Sequence, residues 1–71
     1  MISYKRFWVL LDERGVSTYM LIKQGISSAT IDRLRHNKGV NTQTLDDLCQ
    51  LLRCKIEDIV EIVLDDKDKE L

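Results

Sequence analysis

The sequence predicts an all-α domain built from five short helices. Its 71 residues suffice for one small domain. The chain has no proline and only three glycines, which favours helices with short connections over a β-rich fold with many turns. Apolar residues recur at spacings of three and four, the period of a helix that buries one face. We expect residues 1–64 to form this domain and residues 65–71 to be a charged, disordered tail.

Glycine and serine mark the ends of the first two helices. We predict helix 1 over residues 3–14, ended by Gly15. Helix 2 is predicted over residues 18–24, after Ser17, because a serine at the N-cap accepts a hydrogen bond from an unpaired backbone N–H. Gly25 follows, and glycine can take the positive φ that a tight turn between helices needs.

Helix 3 is predicted over residues 28–36, with Ser27 as its N-cap. Ile31 and Leu34 lie on one face of this helix, and polar side chains occupy the other face. Asn37 follows, and asparagine is second to glycine at the left-handed position that ends a helix.

The C-terminal half is predicted to add two more helices, over residues 43–52 with Thr42 as N-cap and over residues 56–61. Ile62 and Leu64 do not share the inward face of the last helix. This segment either frays against the core or forms a self-association surface, for example a short strand paired across a two-fold axis, and we favour self-association. The predicted core comprises Phe7, Leu10, Leu21, Ile31, Leu34, Leu45, Leu48, Leu52, Ile56 and Ile59.

Catalytic and metal sites find little support in the sequence. Cys49 and Cys54 are expected to be two reduced, buried thiols, since a zinc site needs more ligands at paired spacings. His36 is the one histidine and has no serine or cysteine positioned to act with it. We therefore expect no enzyme activity, no cofactor and no small-molecule ligand. No signal peptide or membrane-spanning run is evident, which predicts a cytoplasmic protein without a membrane partner.

Helices 2 and 3, with Gly25 between them, have the layout of a helix-turn-helix that offers its second helix to DNA. The charge distribution agrees with this interpretation. Residues 1–39 carry seven basic and three acidic side chains, whereas residues 40–71 carry four basic and nine acidic ones. A basic half that contains the helix-turn-helix is typical of a DNA-facing side.

The ordered set of these features resembles the Cro- and lambda-repressor-like family, and within it the short, single-domain XRE-type regulators of bacteria and phages. The resemblance is carried by the stretches GVSTYMLIKQGISSATIDRLRHNKGV, TLDDLCQLL and CKIEDIVEIV, and it covers residues 2–64. It implies a five-helix domain whose third helix enters the major groove of double-stranded operator DNA, often as a homodimer.

The resemblance also implies which side chains meet DNA. Arg33 is the strongest base-reading candidate, because a guanidinium can bond guanine O6 and N7 together. Asp32 either accepts from a cytosine amino group or pairs with Arg33, Arg35 or His36, and we favour pairing. We expect Arg35 to pair with an acid such as Asp12. The full set of DNA-binding candidates is Thr18, Ser27, Ser28, Ala29, Asp32, Arg33, His36, Asn37 and Lys38.

Two functions follow from these observations. The first is a sequence-specific transcriptional regulator that binds DNA as a homodimer. The alternative is a protein-interaction module of the same fold, antitoxin-like or antirepressor-like, with weak or no DNA binding. A weak base-reading face and a pI of about 5.7 favour the alternative, whereas Arg33, Lys38 and the basic N-terminal half favour the regulator.

Overall fold

The computed structural model describes residues 1–65, which form four α-helices, a 3₁₀ turn and a two-stranded antiparallel ribbon. The elements in chain order are β1 (Ile2–Ser3), α1 (Lys5–Arg14), α2 (Thr18–Lys23), α3 (Ser28–Arg35), α4 (Thr42–Leu52), the 3₁₀ turn (Ile56–Asp58) and β2 (Glu61–Ile62). No helix in this part of the chain is long and apolar enough to cross a membrane. Apart from Asp65, the predicted disordered tail lies outside the described residues.

The prediction of a fifth α-helix is wrong, because residues 56–61 form only the 3₁₀ turn before the chain extends into β2. The carboxylate of Asp58 accepts a hydrogen bond from the backbone N–H of Lys55 at 3.0 Å, which closes the segment into a single turn. A helix this short has few hydrogen bonds to offset the cost of nucleation. Pairing of β2 with β1 takes the chain out of helical geometry from Glu61 onward.

Hydrogen bonds from capping side chains begin three of the four helices. Ser17 and Ser27 cap α2 and α3 as predicted, each accepting from the backbone N–H three residues later. The predicted cap of α4 is wrong: Asn41 accepts from Thr44 N at 2.8 Å, and Thr42 is the first helical residue. Helix α1 begins at Lys5 rather than at residue 3, because Ser3 belongs to β1.

All four helices end in the same backbone motif, in which an N–H bonds back to the carbonyl five residues earlier. The donor and acceptor pairs are Val16 with Leu11 at 2.9 Å, Ile26 with Leu21 at 3.1 Å, Lys38 with Arg33 at 2.9 Å and Cys54 with Cys49 at 3.1 Å. The residue before each donor has a positive φ, and these residues are Gly15, Gly25, Asn37 and Arg53. This arrangement is the Schellman motif, which brings the paired residues side by side at the helix end.

The core joins α1, the helix pair α2–α3 and α4. Its buried side chains are Tyr4, Phe7, Leu11, Leu21, Ile26, Ile31, Leu34, Leu48, Leu52 and Ile59. Three members of the predicted core are not fully buried, since Leu10 and Leu45 only pack against it and Ile56 is 53% exposed. Ile26 joins the core because the end motif of α2 lays it beside Leu21.

The terminal ribbon joins the two ends of the described chain. Ile2 pairs with Ile62 and Ser3 with Glu61, and Val63 N donates to Met1 O at 2.8 Å. The segment predicted to associate with a second copy of the chain therefore begins in a strand that pairs within its own chain, a pairing that the sequence did not predict. Ile62 and Leu64 nevertheless remain 60% and 83% exposed, so the ribbon presents an apolar surface to solvent.

Candidate nucleic-acid interface

The exposed face of α3 is set by the way the helix packs. Ile31 and Leu34 are buried beneath it, and Gly25, at φ 107°, allows the turn from α2 into α3. Five of the predicted DNA-binding residues lie on the outer face of α3 and its C-terminal end and are exposed: Ser28, Ala29, Asp32, Arg33 and His36. The structure therefore brings these candidates together on one continuous surface.

Arg33 is held at the C-terminal end of this face. Its Nε donates to the carbonyl oxygen of Gly39 at 2.7 Å. A guanidinium has five N–H donors, so the terminal nitrogens still have donors to offer. Lys38 stands beside Arg33 because the end motif of α3 pairs these two residues. Two cations at a helix C-terminus also face the negative end of the helix dipole, which favours them there.

Asp32 pairs with His36, one of the partners considered for it. His36 Nδ1 lies 3.3 Å from Asp32 Oδ1 and 2.9 Å from the Asp32 carbonyl oxygen. Both side chains are more than half exposed, at 58% and 63%. An ion pair forms here only when the imidazole is protonated, so at neutral imidazole the carboxylate keeps its negative charge in the middle of the face.

Tyr4 fastens the loop that follows α3, a role that the sequence analysis missed. Its backbone N–H donates to Asn37 Oδ1 at 3.0 Å, and its hydroxyl donates to the carbonyl oxygen of Lys38 at 2.7 Å. The side chain is 1% exposed. Burial raises the pKa of Tyr4, and the nearby Arg33 charge partly opposes that rise. The available signal was a tyrosine at the start of an apolar helical pattern, since a buried tyrosine needs a partner for its hydroxyl.

Two of the predicted DNA-binding residues, Asn37 and Ser27, already have structural hydrogen bonds. Asn37 supplies the positive-φ position at the end of α3, and its side-chain oxygen holds Tyr4. Ser27 accepts from Thr30 N at 3.1 Å and donates to Thr30 Oγ1 at 2.9 Å. Thr18, another predicted DNA-binding residue, is half-buried at the start of α2.

Arg35 does not pair with Asp12, contrary to the prediction. Its guanidinium carbon lies 5.3 Å from the centre of the Trp8 ring, so the cation stacks on an aromatic face and ties α3 to α1. A similar pair stands on α2, where Lys23 Nζ lies 5.6 Å from the ring centre of Tyr19, which is 66% exposed. We predicted no role for that pair from the sequence, although a spacing of four residues on a helix puts two side chains on one face.

Within residues 1–65 the structure holds no cluster of three or more histidine, cysteine, aspartate or glutamate side chains arranged to hold a metal ion. The buried side-chain nitrogen and oxygen atoms in the same range all have hydrogen-bond partners. The polar groups gathered at α3 are exposed and form a surface rather than a closed pocket. Such a surface can bind an extended polar partner through cations and hydrogen-bond donors.

Comparisons with known proteins agree with this geometry. A crystal structure of the transcriptional regulator VanUg is similar to the chain, with a TM-score of 0.79 and 33% sequence identity over 84% of this chain and 81% of that chain. A comparison with curated proteins gave no match. The model of the Cro/C1-type helix-turn-helix DNA-binding domain matches residues 6–65. With that match over most of its length, the chain belongs to the Cro/C1-type helix-turn-helix DNA-binding family.

Proposed function

We propose that the chain is a sequence-specific transcriptional regulator that places α3 in the major groove and binds DNA as a homodimer. The observation that carries this proposal is the exposed face of α3, which ends in the adjacent cations Arg33 and Lys38. The major groove admits an α-helix and displays a distinct donor and acceptor pattern for each base pair. The similarity to VanUg, a transcriptional regulator, supports the regulatory role.

The two cations have different tasks in this proposal. Arg33 reads a guanine with its terminal nitrogens, while the bond from Nε to Gly39 O holds the guanidinium in one orientation. Lys38 contacts phosphate, and Tyr4 fixes its backbone. Ser28 and Ala29 approach base edges near the start of α3. Thr18, His36 and the N-terminus of α3 at Ser27 lie toward the flanking phosphates.

The terminal ribbon supplies the dimer surface in this proposal. Met1, Ile62 and Leu64 are 78%, 60% and 83% exposed, and Val63 extends the patch at 44%. A single domain would read only a few base pairs, which gives too little specificity against a genome. Association of two ribbons about a two-fold axis would present two copies of α3, which need a separation of ~34–36 Å to read half-sites one DNA turn apart.

One observation favours the alternative, a protein-interaction module of the same fold. Asp32 lies in the middle of the α3 face, where its carboxylate is 3.3 Å from Nδ1 of His36. A carboxylate repels phosphate, so this position suits a protein partner better than a nucleic acid. DNA binding itself is therefore the first property to measure.

The test of the DNA proposal selects bound sites from random duplexes and then compares variants by fluorescence anisotropy over a range of salt. Arg33→Ala should relax the preference at one base pair by about 1–3 kcal/mol. Lys38→Ala should weaken binding to all sequences and reduce the salt slope by about one. Lys55→Ala removes the same charge outside the proposed interface and should bind as the parent does. Failure of the parent to enrich any sequence would replace this proposal with the interaction module.

The test of the dimer uses sedimentation at micromolar concentration. Ile62→Lys with Leu64→Lys should give monomers that keep their helical circular dichroism and bind the selected site more weakly. Val9→Lys places the same charge on another exposed apolar side chain, 49% exposed on α1, and should leave the dimer intact. A parent protein that sediments as a monomer with and without DNA would contradict the homodimer.

A further inference from the structure

The two cysteines occupy the paired positions of the end motif of α4. Cys54 N donates to Cys49 O at 3.1 Å, and Arg53, at φ 51°, makes the left-handed step between helix and loop. In this motif the residues at those two positions pack against each other. At the ends of α1 and α2 the same positions hold apolar pairs, Leu11 with Val16 and Leu21 with Ile26. At the end of α4 the motif places two thiols together.

Both thiols are accessible to a small oxidant, and their surroundings give them different reactivity. Both side chains are half-buried. Burial raises the pKa of Cys54 to about 11, and the neighbouring Cys49 adds to the rise. Cys54 therefore keeps its proton at neutral pH. Of the two adjacent thiols, Cys49 is therefore the better suited to attack an oxidant and Cys54 the better suited to resolve the product.

We propose that Cys49 and Cys54 form an oxidation site at which a peroxide converts the thiol pair into an intrachain disulfide. This inference rests on the end motif of α4 and is independent of the proposed DNA binding. Nothing in the α3 face takes part in it, so the two proposals can fail separately.

The chemistry requires one peroxide per disulfide. Cys49 sulfur attacks a peroxide oxygen, the O–O bond breaks, and the thiol becomes a sulfenic acid while the peroxide leaves as an alcohol or water. Cys54 sulfur then attacks the sulfenic sulfur, its proton passes to the departing oxygen, and water leaves as the S–S bond forms. The two thiols lose two electrons to the peroxide, and a dithiol reductant reverses the change.

The bond would close only the short loop over residues 49–54. The left-handed step at Arg53 already turns Cys54 back onto α4, and Arg14 donates to the carbonyl oxygen of Leu52 at the same helix end. Cross-linking two residues that are neighbours in the folded state restricts the unfolded chain more than the folded one. The oxidised protein should therefore melt at a higher temperature than the reduced protein.

The experiment treats the full chain with hydrogen peroxide, alkylates it under denaturing conditions and maps its peptides by mass spectrometry. We expect a Cys49–Cys54 cross-link within one chain, lost alkylation at both sites and full reversal by dithiothreitol. Oxidation of Met20, which is 51% exposed, shows in the same digest that the oxidant was active. The oxidised protein should also show the higher melting temperature.

Two variants test whether Cys49 is oxidised before Cys54 attacks it. In Cys54→Ser, dimedone should trap a sulfenic acid at Cys49, because the resolving thiol is gone. In Cys49→Ser, Cys54 should react much more slowly, and circular dichroism checks that both variants are folded. The proposal is overturned if both thiols of the parent stay alkylatable once Met20 is oxidised, if the cross-link joins two chains, or if Cys54 is the faster thiol.

Discussion

The C-terminal ends of α3 and α4 share one backbone motif but carry different pairs of side chains. Asn37 takes the left-handed step after α3, and Arg53 takes it after α4, at φ 55° and 51°. The motif then pairs Arg33 with Lys38 at one end and Cys49 with Cys54 at the other. The backbone geometry decides which residues become neighbours, and the side chains at those positions decide whether the helix end offers cations or thiols.

The two ends also differ in how they are fastened to the rest of the molecule. Asn37 uses its own side chain, whose oxygen accepts from Tyr4 N, so the loop after α3 is fixed by the residue that turns it. Arg53 is exposed, and the end of α4 is held instead by Arg14, which donates to the carbonyl oxygen of Leu52. The side chain at the left-handed position therefore makes a tertiary contact at the end of α3, whereas a residue of another helix holds the end of α4.

The largest expected effect comes from removing the side chain of Tyr4, which holds the loop after α3. Tyr4→Ala should lower the free energy of unfolding by about 3–5 kcal/mol, because it empties a buried aromatic site. Tyr4→Phe keeps the ring and loses only the bond to Lys38 O, so it should cost about 1 kcal/mol. Urea denaturation of both variants separates ring packing from the hydroxyl. Equal losses in the two variants would contradict this division.

Glycine at the α3 end should destabilise the protein. Asn37→Gly keeps the positive φ, but it leaves Tyr4 N without its acceptor, and we expect a loss of about 1 kcal/mol in the free energy of unfolding. The measurement is again urea denaturation, with Asn41→Gly as a cap variant that should lose only a few tenths of a kcal/mol. A neutral Asn37→Gly would mean that its side-chain hydrogen bond contributes nothing to stability.

A glycine at the left-handed position after α4 should instead stabilise the protein. An arginine in the left-handed region bears a steric cost of about 1–2 kcal/mol that glycine avoids, while glycine loses about 0.5–1 kcal/mol more in chain entropy on folding. We therefore expect Arg53→Gly to raise the free energy of unfolding by about 0.5 kcal/mol. Thermal melts of the two glycine variants side by side test the comparison directly, and a destabilised Arg53→Gly would refute it.

The smallest effect is confined to alkaline pH. Burial raises the pKa of Tyr4 above its ordinary value of 10.0, so the folded state holds the phenol proton more tightly than the unfolded chain does. The contribution of Tyr4 to stability is complete below about pH 10 and is lost as the pH rises through its folded-state pKa. Stability should fall more steeply there in the parent than in Tyr4→Phe, and Tyr19→Phe, at an exposed site, should follow the parent.

Much of the α2–α3 unit was predictable, because its signals act over a few residues. Ser17 and Ser27 each bond a backbone N–H three residues away, and Gly25 and Asn37 each turn a helix end over one residue. The outward positions of the α3 candidates followed from helical period alone. Their roles on DNA stay predictions. The left-handed conformation of Arg53 was not predictable from the sequence, since arginine carries no local preference for positive φ.

The features that the sequence did not predict depend on contacts between residues far apart in the chain. Tyr4 meets the loop after α3 across 33 residues of chain, and the N-terminus reaches Val63 across 62. Both contacts depend on how the helices pack, because packing brings the two partner segments together. The sequence around Tyr4 or Ile62 does not indicate which distant segment will lie beside it. The ribbon in turn replaced the predicted fifth helix, because pairing with β1 satisfies the backbone of β2 in an extended form.

The sequence by itself determined where the four helices lie, three of the four residues that turn their ends, and the polar face of α3, because each depends on contacts within about one turn of helix. Only the tertiary structure decided that Tyr4 fixes the α3 end, that Arg35 stacks on Trp8 and that the two chain ends pair. Those contacts form between segments distant in the chain, and their free energy depends on burial that exists only after the helices have packed.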